Sequence, residues 1–275
     1  MRIDAHQHFW RIERGDYGWL GPDLPQLWRD FTPGDLAPLL AAEDIDGTVL
    51  VQAAPTLAET RFLLGIAAST DFVRGVVGWV DFAGPDAAQQ INALAGDPWL
   101  VGLRPMIQDI ADDDWMLRPE LGPAFEALIA RDLTFDALVL PRHLTNLSRL
   151  LDRHPAMRVV IDHAAKPEVA EGAFDDWALG MARLAGETGA FVKLSGLVTE
   201  AAPDWQPADL APYVDHLLAV FGPERVIWGS DWPVCLLASC YARWAETALA
   251  LLGDAATHAP AIFGLNAIRA YRLAE

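Results

Sequence analysis

Two histidines and one aspartate stand near opposite ends of this chain, each at the end of a short, largely apolar segment. His6 and His8 end the segment 2–8, and Asp231 follows the segment 225–230. Residues two apart on an extended strand point to the same side, so both imidazoles can converge on one point. Imidazole nitrogens and a carboxylate are groups with which hydrolytic sites move a proton or hold a divalent ion.

The same pattern, a polar group at the end of an apolar run, recurs along the chain. If the runs are parallel strands of one barrel, their carboxyl ends meet at the face where barrel enzymes carry their active sites. The side chains that this rule adds to the two histidines and the aspartate are Gln52, Asp81, Arg104, His163 and Ser195. Structural roles are the alternative, because a buried histidine can bond a carbonyl group and an aspartate can begin a turn.

The elements that position these groups follow from the hydrophobic pattern. Apolar, β-branched runs alternate eight times with segments of helical period, which predicts an α/β fold, a single-domain (β/α)8 TIM barrel over residues 1–275. An open doubly wound sheet would need a Gly-rich turn after its first strand, where this chain has His6-Gln7-His8. The predicted strands are 3–8, 47–52, 73–80, 100–104, 134–140, 158–163, 190–195 and 225–229; the predicted helices are 34–43, 57–68, 85–95, 121–131, 143–154, 174–187, 207–221, 240–252 and 266–273.

Composition limits the partners and the compartment. The formal net charge is −18, which repels phosphate backbones and argues against a nucleic acid as partner. No apolar stretch reaches the length of a transmembrane helix, and the first residues lack the apolar region of a signal peptide, so we expect no membrane association. Two cysteines, Cys235 and Cys240, are too few for a disulfide framework. We therefore expect a cytoplasmic protein, and the sequence gives no oligomeric state.

Five blocks of the sequence carry a family resemblance: DAHQHFW (4–10), GVVGWVD (75–81), DHAAKP (162–167), KLSGLVTE (193–200) and GSDWPV (229–234). In this order they resemble the amidohydrolase superfamily, and within it the sugar-lactone hydrolases similar to L-fuconolactonase. The resemblance covers nearly the whole chain. It implies the hydrolysis of a sugar aldonolactone to its aldonic acid, with His6, His8, His163 and Asp231 at the centre.

The resemblance also implies roles for individual residues. As catalytic groups we expect Asp231, which takes a proton from the attacking water and passes it to the leaving hydroxyl, together with His163 and Arg104. The small-molecule sugar lactone would contact the side chains of Trp10, Gln52, Gln108, Lys166 and Trp232.

The expected metal content is lower than in many superfamily members. Those members bridge two ions with a strand-4 lysine or glutamate and add a strand-5 histidine, whereas this chain has Arg104 and the apolar segment 138–141 at those places. We therefore expect at most one divalent ion, zinc, with His6, His8 and Asp231 as ligands. A metal-free lactonase is the alternative, because a lactone carbonyl is already activated.

Two other functions stay open at this stage. A metal-dependent decarboxylase or a lactone isomerase could use the same barrel, and release of carbon dioxide would distinguish the decarboxylase. A sugar-binding protein without activity is the third candidate, although binding alone needs no cluster of histidines and aspartate.

Overall fold

A computed structural model describes residues 1–274, and its centre is a sheet of eight parallel strands in sequence order. Helices lie between consecutive strands, so the predicted (β/α)8 TIM barrel is confirmed. The strands are β1 (Ile3–Gln7), β2 (Gly47–Val51), β3 (Val73–Gly78), β4 (Leu100–Leu103), β5 (Thr134–Ala137), β6 (Val159–Ile161), β7 (Phe191–Leu194) and β8 (Val226–Trp228).

The outer helices agree closely with the predicted ones. They are α1 (Pro33–Ala42), α2 (Leu57–Ala67), α3 (Ala87–Leu94), α4 (Gly122–Ala130), α5 (Leu144–Arg153), α6 (Asp175–Glu187), α7 (Leu197–Glu200), α8 (Pro207–Phe221), α9 (Tyr241–Leu251) and α10 (Asn266–Tyr271). Capping explains where several begin: the Thr56 hydroxyl accepts a hydrogen bond from the Glu59 amide at 3.0 Å at the start of α2. The short α7 was not predicted.

Several strands end earlier than predicted because the chain turns to present site residues. β5 stops at Ala137, and the carbonyl of Leu138 then accepts a hydrogen bond from the Gln108 amide at 3.0 Å. β6 stops at Ile161, since His163 and the three residues after it have positive φ angles. Such backbone cannot continue a strand.

Hydrogen bonds beyond the strand ends join β8 to β1. The Asp231 amide donates to the His6 carbonyl at 2.8 Å, and the His8 amide donates to the Trp232 carbonyl at 2.7 Å. The buried Asp4 carboxylate adds a second link, accepting from the Ser230 amide at 2.8 Å. The first and last strands are therefore joined next to His6, His8 and Asp231, the candidate site residues predicted from the sequence.

Side chains fill the inside of the barrel. One buried apolar cluster takes alternate residues of the first two strands, Ile3 and Ala5 of β1 and Val49 and Val51 of β2, and includes Tyr271 of α10. A larger cluster packs the helices against the outside of the strands. No helix within residues 1–274 combines the length and apolar character needed to cross a bilayer.

Candidate active site

Three imidazoles surround one carboxylate oxygen at the carboxyl end of the barrel. The Asp231 Oδ1 atom lies 3.2 Å from His8 Nε2, 3.7 Å from His6 Nε2 and 3.9 Å from His163 Nε2. All four residues are buried, with His8, His163 and Asp231 each about 4% exposed. The structure thus brings together the four residues that the sequence placed at the centre.

Backbone contacts fix the ring of His8. Its Nδ1 atom lies 2.8 Å from the Val51 carbonyl at the end of β2. Because a carbonyl oxygen only accepts, Nδ1 carries the proton. Nε2 of a neutral His8 therefore directs a lone pair toward Asp231 Oδ1, and two facing lone pairs favour a proton or a cation between them.

The backbone around His163 is left-handed and tightly packed. The φ angles of His163, Ala164, Ala165 and Lys166 lie between 50° and 59°, a region that costs free energy for residues other than glycine. The His163 Nδ1 atom is 2.9 Å from the Ser195 hydroxyl. A Cβ atom on Gly196 would lie 2.6 Å from this nitrogen, so only glycine leaves room for the ring.

Arg104 approaches the same centre from β4. Its Nη1 atom lies 3.3 Å from His6 Nε2 and donates to Asp162 Oδ2 at 3.2 Å, while Nη2 donates to the Gln52 carbonyl. The guanidinium is 3% exposed. It is thus held by protein groups beside the imidazoles.

A dry network of charges lies beneath His6. The Lys193 ammonium of β7 lies 2.6 Å from Asp136, 2.8 Å from Asp162 and 3.1 Å from His6 Nδ1. The Tyr271 hydroxyl of α10 lies 2.9 Å from both Asp136 oxygens. All five side chains are fully or almost fully buried. The Lys193 ammonium, together with Arg104 at Asp162, therefore compensates two carboxylates that are closed off from solvent.

Burial and neighbouring charges set the pKa values of these groups. Burial raises the pKa of Asp136 to about 6. Burial would also raise the pKa of Asp162, but the Lys193 ammonium outweighs it and holds that pKa well below its usual range. Burial lowers the pKa of His163 to about 4, and burial together with Lys193 lowers that of His6 well below its usual value.

The Asp231 carboxylate has a low pKa for a similar reason. Burial opposes its ionisation, yet the imidazoles around it, His163 first, hold the pKa far below the usual aspartate value. Neutral His6 and His163 beside an ionised Asp231 are the protonation states that a general base and its polar neighbours would require.

A small cavity of about 190 Å³ opens above the imidazoles. Two predicted substrate contacts line it: Gln108, whose Oε1 atom is buried without a hydrogen-bond partner among residues 1–274, and Lys166, which pairs with Glu200 at 3.4 Å. The rest of the lining mixes apolar side chains with charged groups and imidazoles, and consists of His8, Trp19, Ala53, Arg104, Met106, Asp109, Leu138, His163, Asp231 and Val234.

Three predicted substrate contacts lie away from this lining. Trp10 and Trp232 are buried and pack against Phe31 with ring centroids 5.2 Å apart in both pairs, so they stand behind the cavity wall. The wall itself includes Trp19, from the segment between β1 and α1. Gln52 is fully buried and its amide donates to the Arg104 carbonyl at 2.9 Å, so it supports the arginine.

Sequence reasoning missed the charges beneath His6. Asp162 and Lys193 both lie inside blocks that carry the family resemblance, and Asp136 interrupts an apolar run. A charged residue within a buried strand was the available signal, because such a group needs a buried partner. Asp81, a further strand-end group, is exposed and caps its own turn at the Ala83 amide, 3.1 Å away.

The donor atoms suit one divalent ion. One ligand atom each from His6, His163 and Asp231 lies within 4.8 Å of the others, and His8 Nε2 reaches the same carboxylate oxygen. Two or three imidazoles with one carboxylate form a donor set typical of catalytic zinc. Arg104 stands next to His6, and its positive charge opposes a second cation at that side.

Comparisons with known proteins agree with this geometry. The amidohydrolase family model matches residues 3–273. An L-fucono-1,5-lactonase of Burkholderia ambifaria is 47% identical, covering 99% of this chain and 96% of that protein, and one of Burkholderia multivorans is 38% identical, covering 100% and 97%. The crystal structure of a Burkholderia multivorans amidohydrolase with bound zinc is 37% identical with a TM-score of 0.94, covering all of both chains.

We expect Lys193→Met to destabilise the fold strongly. Methionine is apolar and similar to lysine in length, so it fills the space but leaves Asp136 and Asp162 buried without the ammonium group. Breaking one side of a buried ion pair costs about 3–5 kcal/mol. Chemical denaturation of the purified variant measures this loss. Lys166→Met, at the partly exposed pair with Glu200, is the matched control and should cost about 1 kcal/mol or less; equal losses would contradict the role of the network.

Proposed function

Since the chain belongs to the amidohydrolase family, we propose that it hydrolyses the ring ester of a sugar aldonolactone to the aldonic acid. The observation that carries this proposal is the buried Asp231 carboxylate, ringed by three imidazoles on the floor of a small cavity beside Arg104. Relatives that are 47% and 38% identical over their full lengths are named L-fucono-1,5-lactonase. They favour a lactonase over the decarboxylase and isomerase alternatives.

In the proposed mechanism Asp231 acts as the general base. Its carboxylate takes a proton from a water molecule whose oxygen attacks the lactone carbonyl carbon. The ring C–O bond then breaks, and the same carboxyl returns the proton to the leaving hydroxyl. Arg104 stabilises the negative charge on the carbonyl oxygen, a contribution of a few kcal/mol for one well-placed donor. Neutral His163 positions the water beside Asp231.

Substrate binding relies on the cavity lining. The side-chain amide of Gln108 can form a hydrogen bond with a sugar hydroxyl, and the Lys166 ammonium can donate to another. Trp19, Met106 and Leu138 form an apolar side of the cavity. Such a lining suits one neutral sugar ring with an apolar edge, and its volume of about 190 Å³ suits a monosaccharide derivative.

A single divalent ion fits this site as part of the proposal. His6, His163 and Asp231, with His8 adjacent, would hold it, and zinc is the ion that this donor set and the zinc-bound relative support. When bound, the ion would polarise the lactone carbonyl and lower the pKa of a water molecule. Hydrolysis without metal stays the alternative, with Arg104 and the imidazoles polarising the carbonyl.

The remaining properties are proposed from charge and cysteine usage. The two cysteines are free, Cys235 buried and Cys240 exposed, as in a reducing compartment. We therefore place the protein in the cytoplasm. The net charge of −18 makes a nucleic acid an unfavourable partner.

A screen of lactones tests the proposed function. Acid release in a pH-indicator assay should be fastest for neutral six-carbon or 6-deoxy aldonolactones. Dicarboxylated lactones should react slowly, because Arg104 and Lys166 are the cations lining the cavity and the protein is strongly acidic. Faster turnover of a pyrone dicarboxylate than of every aldonolactone would overturn the substrate class, and carbon dioxide release would indicate a decarboxylase.

Asp231→Asn should lower kcat on the order of 10²-fold or more, the usual scale of acid–base help. Asparagine keeps the shape of the side chain and removes its basicity, so the circular dichroism spectrum and melting temperature should stay close to those of the wild type. Asp215→Asn, the same change at an exposed position of α8, is the control and should keep full activity. A wild-type kcat in Asp231→Asn would remove this residue from the mechanism.

Elemental analysis measures the proposed metal content. Protein purified with added zinc should hold about one equivalent or fewer, by the ligand count of a single catalytic site. Replacing His6 and His163 by alanine together should abolish binding. Two tightly held equivalents would show that strands β4 and β5 contribute ligands after all, and unchanged activity after exhaustive chelation would favour the metal-free mechanism.

A further inference from the structure

A further buried carboxylate lies behind the cavity wall, away from Asp231 and from the charges beneath His6. Glu59 of α2 is fully buried. Its Oε2 atom accepts a hydrogen bond from the Tyr17 hydroxyl at 2.8 Å and lies 3.4 Å from the Arg14 guanidinium, and its Oε1 atom accepts from the Ala53 amide at 3.3 Å. Glu59 therefore joins the loop after β2 to residues 9–32, here called the covering segment.

These contacts lead directly to the cavity. Ala53 and Trp19 both line it, and the Trp19 indole donates to the Ala53 carbonyl at 2.8 Å. Glu59 thus binds the amide of the residue whose carbonyl holds Trp19. On its other side Glu59 holds Tyr17, two residues before Trp19 on the covering segment.

A second set of polar contacts stabilises the same junction between the covering segment and α2. Arg14 pairs with Asp16 at 2.7 Å, and Asp16 accepts from the Thr56 hydroxyl at 2.9 Å. The Arg14 guanidinium also lies over the Phe62 ring of α2, 4.4 Å from its centroid. The covering segment is thus attached to α2 through polar groups arranged around one carboxylate.

Packing alone does not require a carboxylate at this position. Replacing a buried charge and its partners by apolar side chains is often neutral or stabilising. The carboxylate adds hydrogen bonds of defined geometry, which orient the Ala53 amide and the Tyr17 hydroxyl. This orientation matters because Trp19 forms a wall of the cavity, and its partly exposed side chain is not held by packing on every side.

We propose that Glu59 is a positioning residue for substrate binding, which fixes Trp19 and Ala53 as one wall of the cavity by attaching the covering segment to α2. The proposal rests on the proposed lactonase function only for its kinetic readout. It predicts that loss of this carboxylate acts mainly on substrate binding, since the hydrogen bonds and ion pair of Glu59 do not reach Asp231 or His163, and Arg104 is linked to Glu59 only through the Gln52–Ala53 peptide.

Titration of Glu59 gives the attachment a characteristic pH dependence. Burial raises the pKa of Glu59 to about 7, and the ionisable groups that face it are Arg14, Asp16 and Tyr17. When the covering segment opens and water reaches Glu59, its pKa returns toward the usual glutamate value. The closed form then binds the proton more tightly, so raising the pH from about 5 to about 7 shifts the balance toward the open form.

Two substitutions at Glu59 test the proposal with lactone kinetics. Glu59→Leu removes the acceptor for Tyr17 and Ala53, and should raise KM about tenfold, the equivalent of one hydrogen bond to a charged group, while kcat changes less than about twofold. Glu59→Gln keeps an acceptor oxygen, so its KM should stay close to that of the wild type. Glu246→Gln, at an exposed position of α9, is the control. Unchanged KM in Glu59→Leu, or an equal loss in kcat, would overturn the proposal.

Hydrogen exchange tests the attachment without any substrate. After correction for intrinsic exchange rates, the opening of residues 10–20 in the wild type should increase between about pH 5 and pH 7, and in Glu59→Gln it should not change with pH. Equal opening of residues 10–20 in the wild type and in Glu59→Leu would contradict the role of Glu59 even if the lactone kinetics agreed. If the wild type hydrolyses no lactone, the proposed function fails, whereas this measurement still decides on the attachment.

A milder variant covers the case in which Glu59→Leu does not fold. Tyr17→Phe removes one hydroxyl and one of the bonds to Glu59. It should raise KM about threefold, the scale of a single neutral hydrogen bond, and increase exchange in residues 10–20. Wild-type KM and exchange in this variant would contradict the proposal.

Discussion

The candidate site depends on the hydrogen bonds that join β8 to β1. Two parallel strands from opposite ends of the chain meet there, and the Asp231 amide bonds to the His6 carbonyl at 2.8 Å. The aspartate and the histidines become neighbours because the barrel closes, since more than two hundred residues separate them along the sequence. Asp4 strengthens the junction by accepting from the Ser230 amide. Any change that opens this junction separates the proposed base from the imidazoles around it.

Charge balance in a dry interior is the second constraint. Asp136, Asp162 and Asp231 are all buried near His6, and the cations beside them are Arg104 and Lys193. An uncompensated charge of this kind would neutralise itself by a change of pKa or destabilise the fold. The arrangement instead favours ionised Asp162 and Asp231 and neutral His6 and His163. The candidate site therefore depends on Asp136, Asp162 and Lys193, which lie outside the cavity lining.

The cavity wall is built in a different way from its floor. The floor comes from strand ends, whose positions follow from the barrel itself. The wall comes from the covering segment, which has little regular structure and is held by tertiary contacts such as those of Glu59 and Trp19. Loops that bind substrate are commonly less stable than the scaffold that carries them. Substrate preference can therefore change through this segment without altering the proton-transfer groups.

The sequence by itself determined the barrel and the central residues, because both depend on local patterns. Eight alternations of strand and helix allow few topologies, and polar groups at strand ends must share one face. Only the tertiary structure decided how partners from distant strands meet. Four features depend on which side chains share a buried space: the contact of Lys193 with His6, the left-handed turn at His163, the packing of Trp10 behind Trp19, and the hydrogen bond from Gln52 to Arg104. Local sequence cannot fix such contacts, because they arise only when packing forces each buried polar group to find a partner.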